Sequence, residues 1–200
     1  MKKLASLFLA ALFCVSAFSQ SNDLLKAGRT LDSLENYTKA IKKYDEAIKR
    51  KPDYPEAFNA RAISRQKLKD YRTSMQDFNK AIQLRPDYSE AYLNRSSLKG
   101  ELEDSRGEMQ DLNKAIELKP DYAEAYNKRG LVRSRLGDHT GEITDYTKAI
   151  GIKPNYGEAF HNRAHAKYIM GDKNGACQDY SKAGELDYFK AYEDIKDVCK

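Results

Sequence analysis

The fold of this 200-residue chain is decided by the stretch from Lys51 to Tyr88, which reads KPDYPEAFNARAISRQKLKDYRTSMQDFNKAIQLRPDY. Its opening phrase, a basic residue, proline, Asp or Asn, and tyrosine, begins at residues 51, 85, 119 and 153, an interval of 34 residues each time. A constant period of this length predicts one supersecondary unit stacked on copies of itself. The phrase itself indicates no catalysis.

Placing the proline at position 32 divides the chain into five units, 21–54, 55–88, 89–122, 123–156 and 157–190. Position 8 is small, position 24 is large and position 27 is always alanine, so two helices are expected to approach closely. Positions 4 and 14 complete an apolar stripe at helical spacing. Position 14 holds Leu34, Leu68, Leu102, Leu136 and Met170. A break follows, and the proline ends the second helix, after which Asp or Asn is expected to cap the next helix. Each unit is therefore predicted to be helix, turn, helix.

This pattern resembles the tetratricopeptide repeat family, whose motif has an aromatic residue at 4, small residues at 8, 20 and 27, an aromatic residue at 24 and proline at 32. The resemblance covers residues 21–190. It implies an all-α, right-handed superhelical solenoid of five helix-turn-helix units. Such an array needs a terminal helix over its last apolar face, and residues 188–200 are predicted to form this cap. Its apolar residues Tyr188, Phe189, Tyr192, Ile195 and Val198 fall roughly on one helical face.

The chain departs from the family motif at charged positions. Position 20 is Glu108 and Glu142 in the third and fourth units, where a small residue is usual, and position 11 is basic in the last four units. Those four units also carry Arg at position 7 and Asp at position 23, whereas the first unit has Ala27 and Lys43. We expect a ladder of structural ion pairs, with the position 11 cation meeting Glu at position 20; the alternative is solvated charges. The expected pairs are Arg61 with Asp77, Arg95 with Asp111, Arg129 with Asp145, and Arg163 with Asp179.

The N-terminus has the pattern of a secretory signal peptide, residues 1–19. Two lysines precede a short apolar run from Leu4 to Phe18, and Ala17 and Ser19 favour cleavage between Ser19 and Gln20. An exported protein, periplasmic in a bacterium or secreted, is expected. A lipid anchor at Cys14 is the alternative, which Phe13 disfavours because a lipoprotein signal has a small residue there.

Charge and cysteines restrict the function further. The formal net charge of +5 falls to +3 when Lys2 and Lys3 are removed, and no basic stripe indicates nucleic-acid binding. In an exported protein, Cys177 in the fifth unit and Cys199 in the cap are predicted to form a disulfide, the alternative being two buried free thiols.

Catalytic motifs are scarce in this sequence, so we expect no enzyme and no cofactor. His161 and His165 share a helical face at i, i+4 spacing, but no third ligand is placed to complete a metal site. A ligand or metal site at these histidines and Tyr168 remains an alternative function, as does self-association through the ends of the array.

The resemblance implies that a partner binds the concave face, which in this family is lined by positions 2, 5, 6, 9, 12 and 13 of the first helices. We expect a protein or extended peptide there, because asparagine offers both donor and acceptor to a peptide backbone. Glutamate at position 2 in four units disfavours an acidic peptide terminus. The alternative is that these are soluble groove residues. The expected contact residues are Asn59, Asn94, Asn127, Lys128, His161, Asn162, His165 and Tyr168.

Overall fold

The computed structural model describes residues 19–199, and within that range the chain forms eleven α-helices and no β-strand. The helices are α1 (19–33), α2 (Tyr37–Arg50), α3 (Pro55–Lys67), α4 (Tyr71–Leu84), α5 (Ser89–Glu101), α6 (Ser105–Leu118), α7 (Ala123–Arg135), α8 (His139–Ile152), α9 (Gly157–Ile169), α10 (Lys173–Glu185) and α11 (Ala191–Val198). The chain divides into two compact units, the N-terminal unit up to Leu98 and the C-terminal unit from Lys99 onward. The predicted all-α, helix-turn-helix fold class is confirmed.

Aspartate side chains cap the second helix of four repeats. Asp104, Asp138 and Asp172 each accept a hydrogen bond of 2.9 Å from the backbone N–H three residues later, and Asp70 accepts one of 3.3 Å from Thr73. The expectation that the Asp or Asn after proline caps the following first helix is wrong. The turn after proline places tyrosine at the N-cap instead, and the caps of α3, α7 and α9 make no side-chain hydrogen bond.

The turn within each repeat contains one residue in the left-handed backbone region, at position 15. Glu35, Lys69 and Glu103 have φ between 56° and 62°, while Gly137 and Gly171 have φ of 75° and 87°. Glycine has no Cβ to oppose this conformation. The break that was visible in the sequence is therefore a reversal of the backbone at a single residue.

Small residues and large apolar or aromatic residues form the core of each unit. Tyr44 and Phe78 in the N-terminal unit, and Leu112, Tyr146 and Tyr180 in the C-terminal unit, are almost fully buried. The invariant alanines at position 27 are buried as well: Ala47, Ala81, Ala115, Ala149 and Ala183. These are the position 24 and position 27 residues that the repeat pattern selected.

The apolar residues at position 14 are not core residues, so that expectation is wrong. Leu34, Leu68, Leu102, Leu136 and Met170 are between 46% and 70% exposed. The first helix ends at this position and the chain turns, so the side chain no longer faces the partner helix. The apolar stripe therefore stops before the end of its sequence pattern.

The C-terminal helix α11 packs against α10, with Ala191 and Val198 buried and Ile195 partly buried. Phe189, which was expected on the buried face, is 76% exposed because it precedes α11, which begins only at Ala191. Tyr192, also expected there, is 47% exposed, and its hydroxyl donates to the Gly184 carbonyl at 3.0 Å. The predicted signal peptide lies, apart from Ser19, outside the described residues. Among the helices that are described, none combines the length and apolar character that a membrane crossing requires.

Candidate functional site

Arginine at position 7 holds two helices of one repeat together. Arg129 on α7 donates from Nε and Nη2 to the two carboxylate oxygens of Asp145 on α8, at 2.9 and 2.7 Å. Arg61 with Asp77 and Arg163 with Asp179 have the same two-bond geometry. These hydrogen bonds raise the pKa of the Arg129 guanidinium above its ordinary value, against the opposing effect of burial.

The third nitrogen of the same arginines reaches the preceding repeat. Arg129 Nη1 donates to Asn113 at 2.8 Å, and Arg61 Nη1 donates to Asp45 at 2.5 Å. Each arginine is therefore a clamp within a repeat and a link between repeats. Sequence reasoning missed this second role, although a polar residue at position 25 in every unit was the available signal: Asp45, Asn79, Asn113, Thr147 and Ser181.

The fourth expected pair, Arg95 with Asp111, falls on both sides of the division between the two units. Within the N-terminal unit, Arg95 donates to Asn79 at 2.7 Å. Within the C-terminal unit, Asp111 contacts Lys99 at 2.8 Å. Within its own unit, each residue thus makes a contact that its equivalents in the other repeats make: Arg95 with the position 25 residue of the preceding repeat, and Asp111 with the cation at position 11.

The cation at position 11 does not meet Glu at position 20, so that expectation is wrong. It contacts the same Asp at position 23 as the arginine does, because positions 7 and 11 are one helical turn apart on one face. The distances are 2.6 Å for Arg65 to Asp77, 3.1 Å for Arg133 to Asp145 and 2.8 Å for Lys167 to Asp179.

The glutamates at position 20 have other partners. Glu108 Oε2 accepts a hydrogen bond from Arg135 Nη2, and Glu142 Oε1 lies 2.7 Å from His139 Nδ1. Burial raises the pKa of the Glu108 carboxyl, while Arg135 and Lys128 oppose that rise. His139 is therefore part of a polar contact at the start of α8.

The four asparagines expected on the binding face form two internal pairs. Asn94 Nδ2 donates to Asn59 Oδ1 at 3.2 Å in the N-terminal unit, and Asn162 Nδ2 donates to Asn127 Oδ1 at 3.1 Å in the C-terminal unit. Asn59 and Asn127 are each only 1% exposed. They face the next first helix, so they are not accessible to a peptide backbone, contrary to expectation. Asn94 and Asn162 are half-buried.

His161 is directed towards the C-terminal helix. Its Nε2 lies 2.7 Å from Asp194 Oδ2 on α11, and its ring is 5.0 Å from that of Tyr188. His165, one turn later, is exposed. Across residues 19–199 no group of three or more His, Cys, Asp or Glu side chains could hold a metal ion. The geometry therefore does not favour the alternative of a metal site at these histidines.

The end of α9 presents an accessible surface in the C-terminal unit. His165 is exposed, Tyr168 and Ile169 are each 48% exposed, and Met170 follows them at the turn. Lys128 on α7 is half-buried and acts electrostatically on Glu108. Of the residues predicted to contact a partner, His165 and Tyr168 are the most accessible.

Cys177 and Cys199 form a bonded pair in the structure, with their Cα atoms 5.6 Å apart. The pair joins α10 to the residue after α11. The second helix of the fifth repeat and the C-terminal helix are therefore neighbours, as the position of the two cysteines requires.

Two family models match the chain. One described as TPR repeat matches residues 28–69 and 99–137, and one described as Tetratricopeptide repeat matches residues 55–88 and 123–156. No curated protein sequence matches at a significant level.

Solved structures with the same fold include MamA, which is 26% identical with a TM-score of 0.70 over 82% of this chain and 96% of its own. PilF of Pseudomonas aeruginosa is 16% identical with a TM-score of 0.82, over 86% of this chain and 78% of its own. YrrB, described as a TPR protein with an unusual peptide-binding site, is 18% identical with a TM-score of 0.67, over 86% of this chain and 90% of its own. On the family matches and the repeat geometry together, this chain belongs to the tetratricopeptide repeat family.

Proposed function

We propose that this protein is a non-enzymatic interaction scaffold, which binds a protein or an extended peptide on the face of its first helices outside the cytoplasm. The observation that carries the proposal is the exposed row at the end of α9. Tyr168 and Ile169 are each 48% exposed, whereas most of the aromatic rings in the described part of the chain are buried or half-buried. Accessible aromatic and aliphatic side chains of this kind are the usual anchors of a protein interface.

The asparagine pairs restrict how a partner binds. Asn59 and Asn127 hold the following first helix, so a partner contacts the half-buried members Asn94 and Asn162 and the charged and aromatic groups beside them. A role as adaptor is the one that the family membership supports. The peptide-binding site named for YrrB supports this mode by analogy, since that protein shares the fold.

The extracytoplasmic setting rests on the N-terminal pattern and on the cysteine pair. A disulfide persists in oxidising compartments such as the periplasm. The N-terminus of the protein isolated from cells tests this part directly, by mass spectrometry. A chain that starts at Gln20 supports export with cleavage, and a chain that retains residues 1–19 contradicts it.

The binding face is tested by capture on the immobilised protein, followed by identification of the retained partners. We expect a His165→Ala and Tyr168→Ala double variant to lose partners that the unaltered protein retains. The matched control is Phe189→Ala, which removes another exposed ring of the C-terminal unit that lies just before α11 and not on α9. Equal capture by all three proteins would place partner binding elsewhere.

A further inference from the structure

The C-terminal helix repeats the sequence of a first helix. Residues 186–198 read LDYFKAYEDIKDV, and residues 86–98 read PDYSEAYLNRSSL. Both segments have a tyrosine before the helix, followed three residues later by Ala-Tyr. Two residues after this second tyrosine stands Asn94 or Asp194, and four residues further on stands Leu98 or Val198. The equivalent positions of the fifth repeat and of α11 are two residues closer than the usual 34, so a search at a constant period of 34 does not detect the match. In sequence, α11 is the beginning of a sixth first helix.

The contacts of α11 agree with this register. Asp194 lies on His161 at 2.7 Å, and His161 occupies position 5 of its repeat. In the second and fourth repeats the position 5 asparagine accepts from the asparagine of the following first helix, as Asn127 does from Asn162 at 3.1 Å. Ala191 is fully buried, as are Ala91 and Ala159 at the equivalent position of α5 and α9. The surface of α9 and α10 beneath α11 is therefore built to receive a first helix.

The attachment of α11 nevertheless differs from that of a complete first helix. It has 8 residues, whereas α9 has 13, and Ile195 stands where α3, α5, α7 and α9 carry the clamping arginine. Its noncovalent contacts comprise the Asp194 bond, a 3.0 Å hydrogen bond from Tyr192 to the Gly184 carbonyl, the burial of Ala191 and Val198, and the partial burial of Ile195. The Cys177–Cys199 bond joins the residue after the helix to α10.

We propose that the surface of α9 and α10 beneath α11 is a helix-binding site, which α11 fills while the Cys177–Cys199 bond is closed and vacates when that bond is reduced. The ligand is a helix from another protein with the pattern of α11: alanine, an aromatic residue next, Asp or Asn three residues after the alanine, and an aliphatic residue seven after it. The carboxylate or amide takes the place of Asp194 on His161. The alanine and the aliphatic residue fill the places of Ala191 and Val198.

The reductant is a dithiol protein or small dithiol. One of its thiolates attacks a sulfur of the pair, the S–S bond breaks, and the resulting mixed disulfide is resolved by the second thiol. The two electrons pass to Cys177 and Cys199, which take up two protons and become thiols, while the dithiol becomes a disulfide.

A second copy of this chain, stacked through its first helix α1, is a poorer ligand than a foreign helix. Its α1 carries Lys26 at the place of Asp194 and Asp23 at the place of Ala191. A lysine facing His161 offers no acceptor, and an aspartate would be buried where a methyl group fits. This mismatch argues against growth of the array by stacking of one chain on the end of another.

The first measurement is hydrogen exchange of the full chain before and after reduction with dithiothreitol, with the thiol state checked by intact mass. We expect amides of residues 191–198 to exchange at least about tenfold faster after reduction, with those of α7 and α8 unchanged. Unchanged protection of the α11 amides after reduction would show that the Cys177–Cys199 bond does not hold α11 in place, and would overturn the proposal.

The second measurement uses a fluorescent synthetic peptide of residues 187–198, which contains no cysteine. We expect it to bind the reduced chain with a Kd at least about tenfold lower than for the oxidised chain, and a matched peptide with Asp194→Lys to bind neither. Equal binding of the peptide to the oxidised and the reduced chain would overturn the proposed helix-binding site.

A reduced chain that dimerises, with the dimer dissociated by the peptide, would overturn the assignment of the ligand to another protein. The His165→Ala and Tyr168→Ala variant should bind the peptide normally, which separates this site from the proposed binding face.

Discussion

The first repeat and the fourth repeat make the same close contact with different polar residues. In both, a glycine at position 8 lies against a tyrosine at position 24, and a Cβ on Gly28 or Gly130 would come within 2.3 or 2.4 Å of the ring of Tyr44 or Tyr146. The fourth repeat adds the Arg129 and Arg133 contacts with Asp145. The first repeat has none of these residue types at the same positions.

The first repeat uses Asp32 instead. It accepts a 2.5 Å hydrogen bond from the Tyr44 hydroxyl within the repeat and a 2.6 Å bond from Ser64 of the second repeat. Asp32 thus joins helices and joins repeats, the two roles that Arg129 has with Asp145 and Asn113. The packing of glycine against tyrosine is common to both repeats. The polar side chains that link the helices and the repeats, in contrast, come from different positions of the motif in the two repeats.

The largest effect is expected from Asp145→Ala. Its carboxylate is almost fully buried between two cations, so its loss leaves Arg129 and Arg133 without their shared partner, and we expect the free energy of unfolding to fall by about 2 to 4 kcal/mol. Urea unfolding measures this. The control is Asp45→Ala, whose half-exposed carboxylate contacts Arg61 and should contribute less than about 1 kcal/mol.

A double-mutant cycle with Arg129→Ala and Asp145→Ala isolates the pair itself. We expect a coupling free energy of at least about 1 kcal/mol because the two hydrogen bonds are partly shielded from water. A coupling near zero would mean that the ladder is a set of solvated charges after all.

The next effect is expected from Gly130→Ala. The added methyl group has to displace the Tyr146 ring, and overpacking of this kind typically destabilises by about 1 to 3 kcal/mol. The matched control is Gly151→Ala in the paired helix α8, where nothing lies within 4 Å of the new Cβ. That change should stabilise the protein by about 0.5 to 1 kcal/mol, because alanine favours a helix over glycine. Equal effects at the two sites would contradict the close approach.

Asp32→Ala tests the substitute contact of the first repeat. It removes the acceptor of two hydroxyl groups, and we expect a loss of about 1 to 2 kcal/mol in thermal or urea unfolding. Asp23→Ala, an exposed carboxylate on the same helix, is the control and should have little effect. If both variants behave alike, Asp32 is not the link between the first two repeats.

The smallest effect near neutral pH is expected from tyrosine ionisation. Burial raises the pKa of Tyr44 and Tyr146 above the ordinary value of 10.0, and raises the pKa of Tyr180 to about 12. Since the folded pKa is the higher one, this stabilisation is complete below pH 10 and is lost as the pH rises towards 12. Melting temperatures should therefore be unaffected by these groups from pH 8 to about 10 and fall above it. Ionisation of all tyrosines together near pH 10 in the folded protein, seen by ultraviolet absorbance, would contradict this.

The positions that sequence reasoning identified best are those governed by period alone. Alanine at position 27 and the large residue at position 24 recur because every repeat must fill the same space between two helices. Position 14 misled because periodicity does not show where a helix stops: its residues continue the apolar stripe in sequence, but the left-handed turn at position 15 leaves them exposed. The prediction that the asparagines are accessible failed for Asn59 and Asn127 for a related reason. A residue on the expected helical face is still inaccessible when the next first helix covers it.

The sequence by itself determined the family, the five repeats, the helix-turn-helix unit and the presence of charged partners at positions 7 and 23, because a constant period imposes the same local environment on each copy. The tertiary structure alone decided which atoms meet. It directed the position 11 cation to Asp at position 23, used the third arginine nitrogen for the preceding repeat, and placed Asp194 of the C-terminal helix α11 within hydrogen-bond distance of His161. The physical reason is that hydrogen bonds depend on ångström distances between side chains of different helices, which a one-dimensional period does not specify.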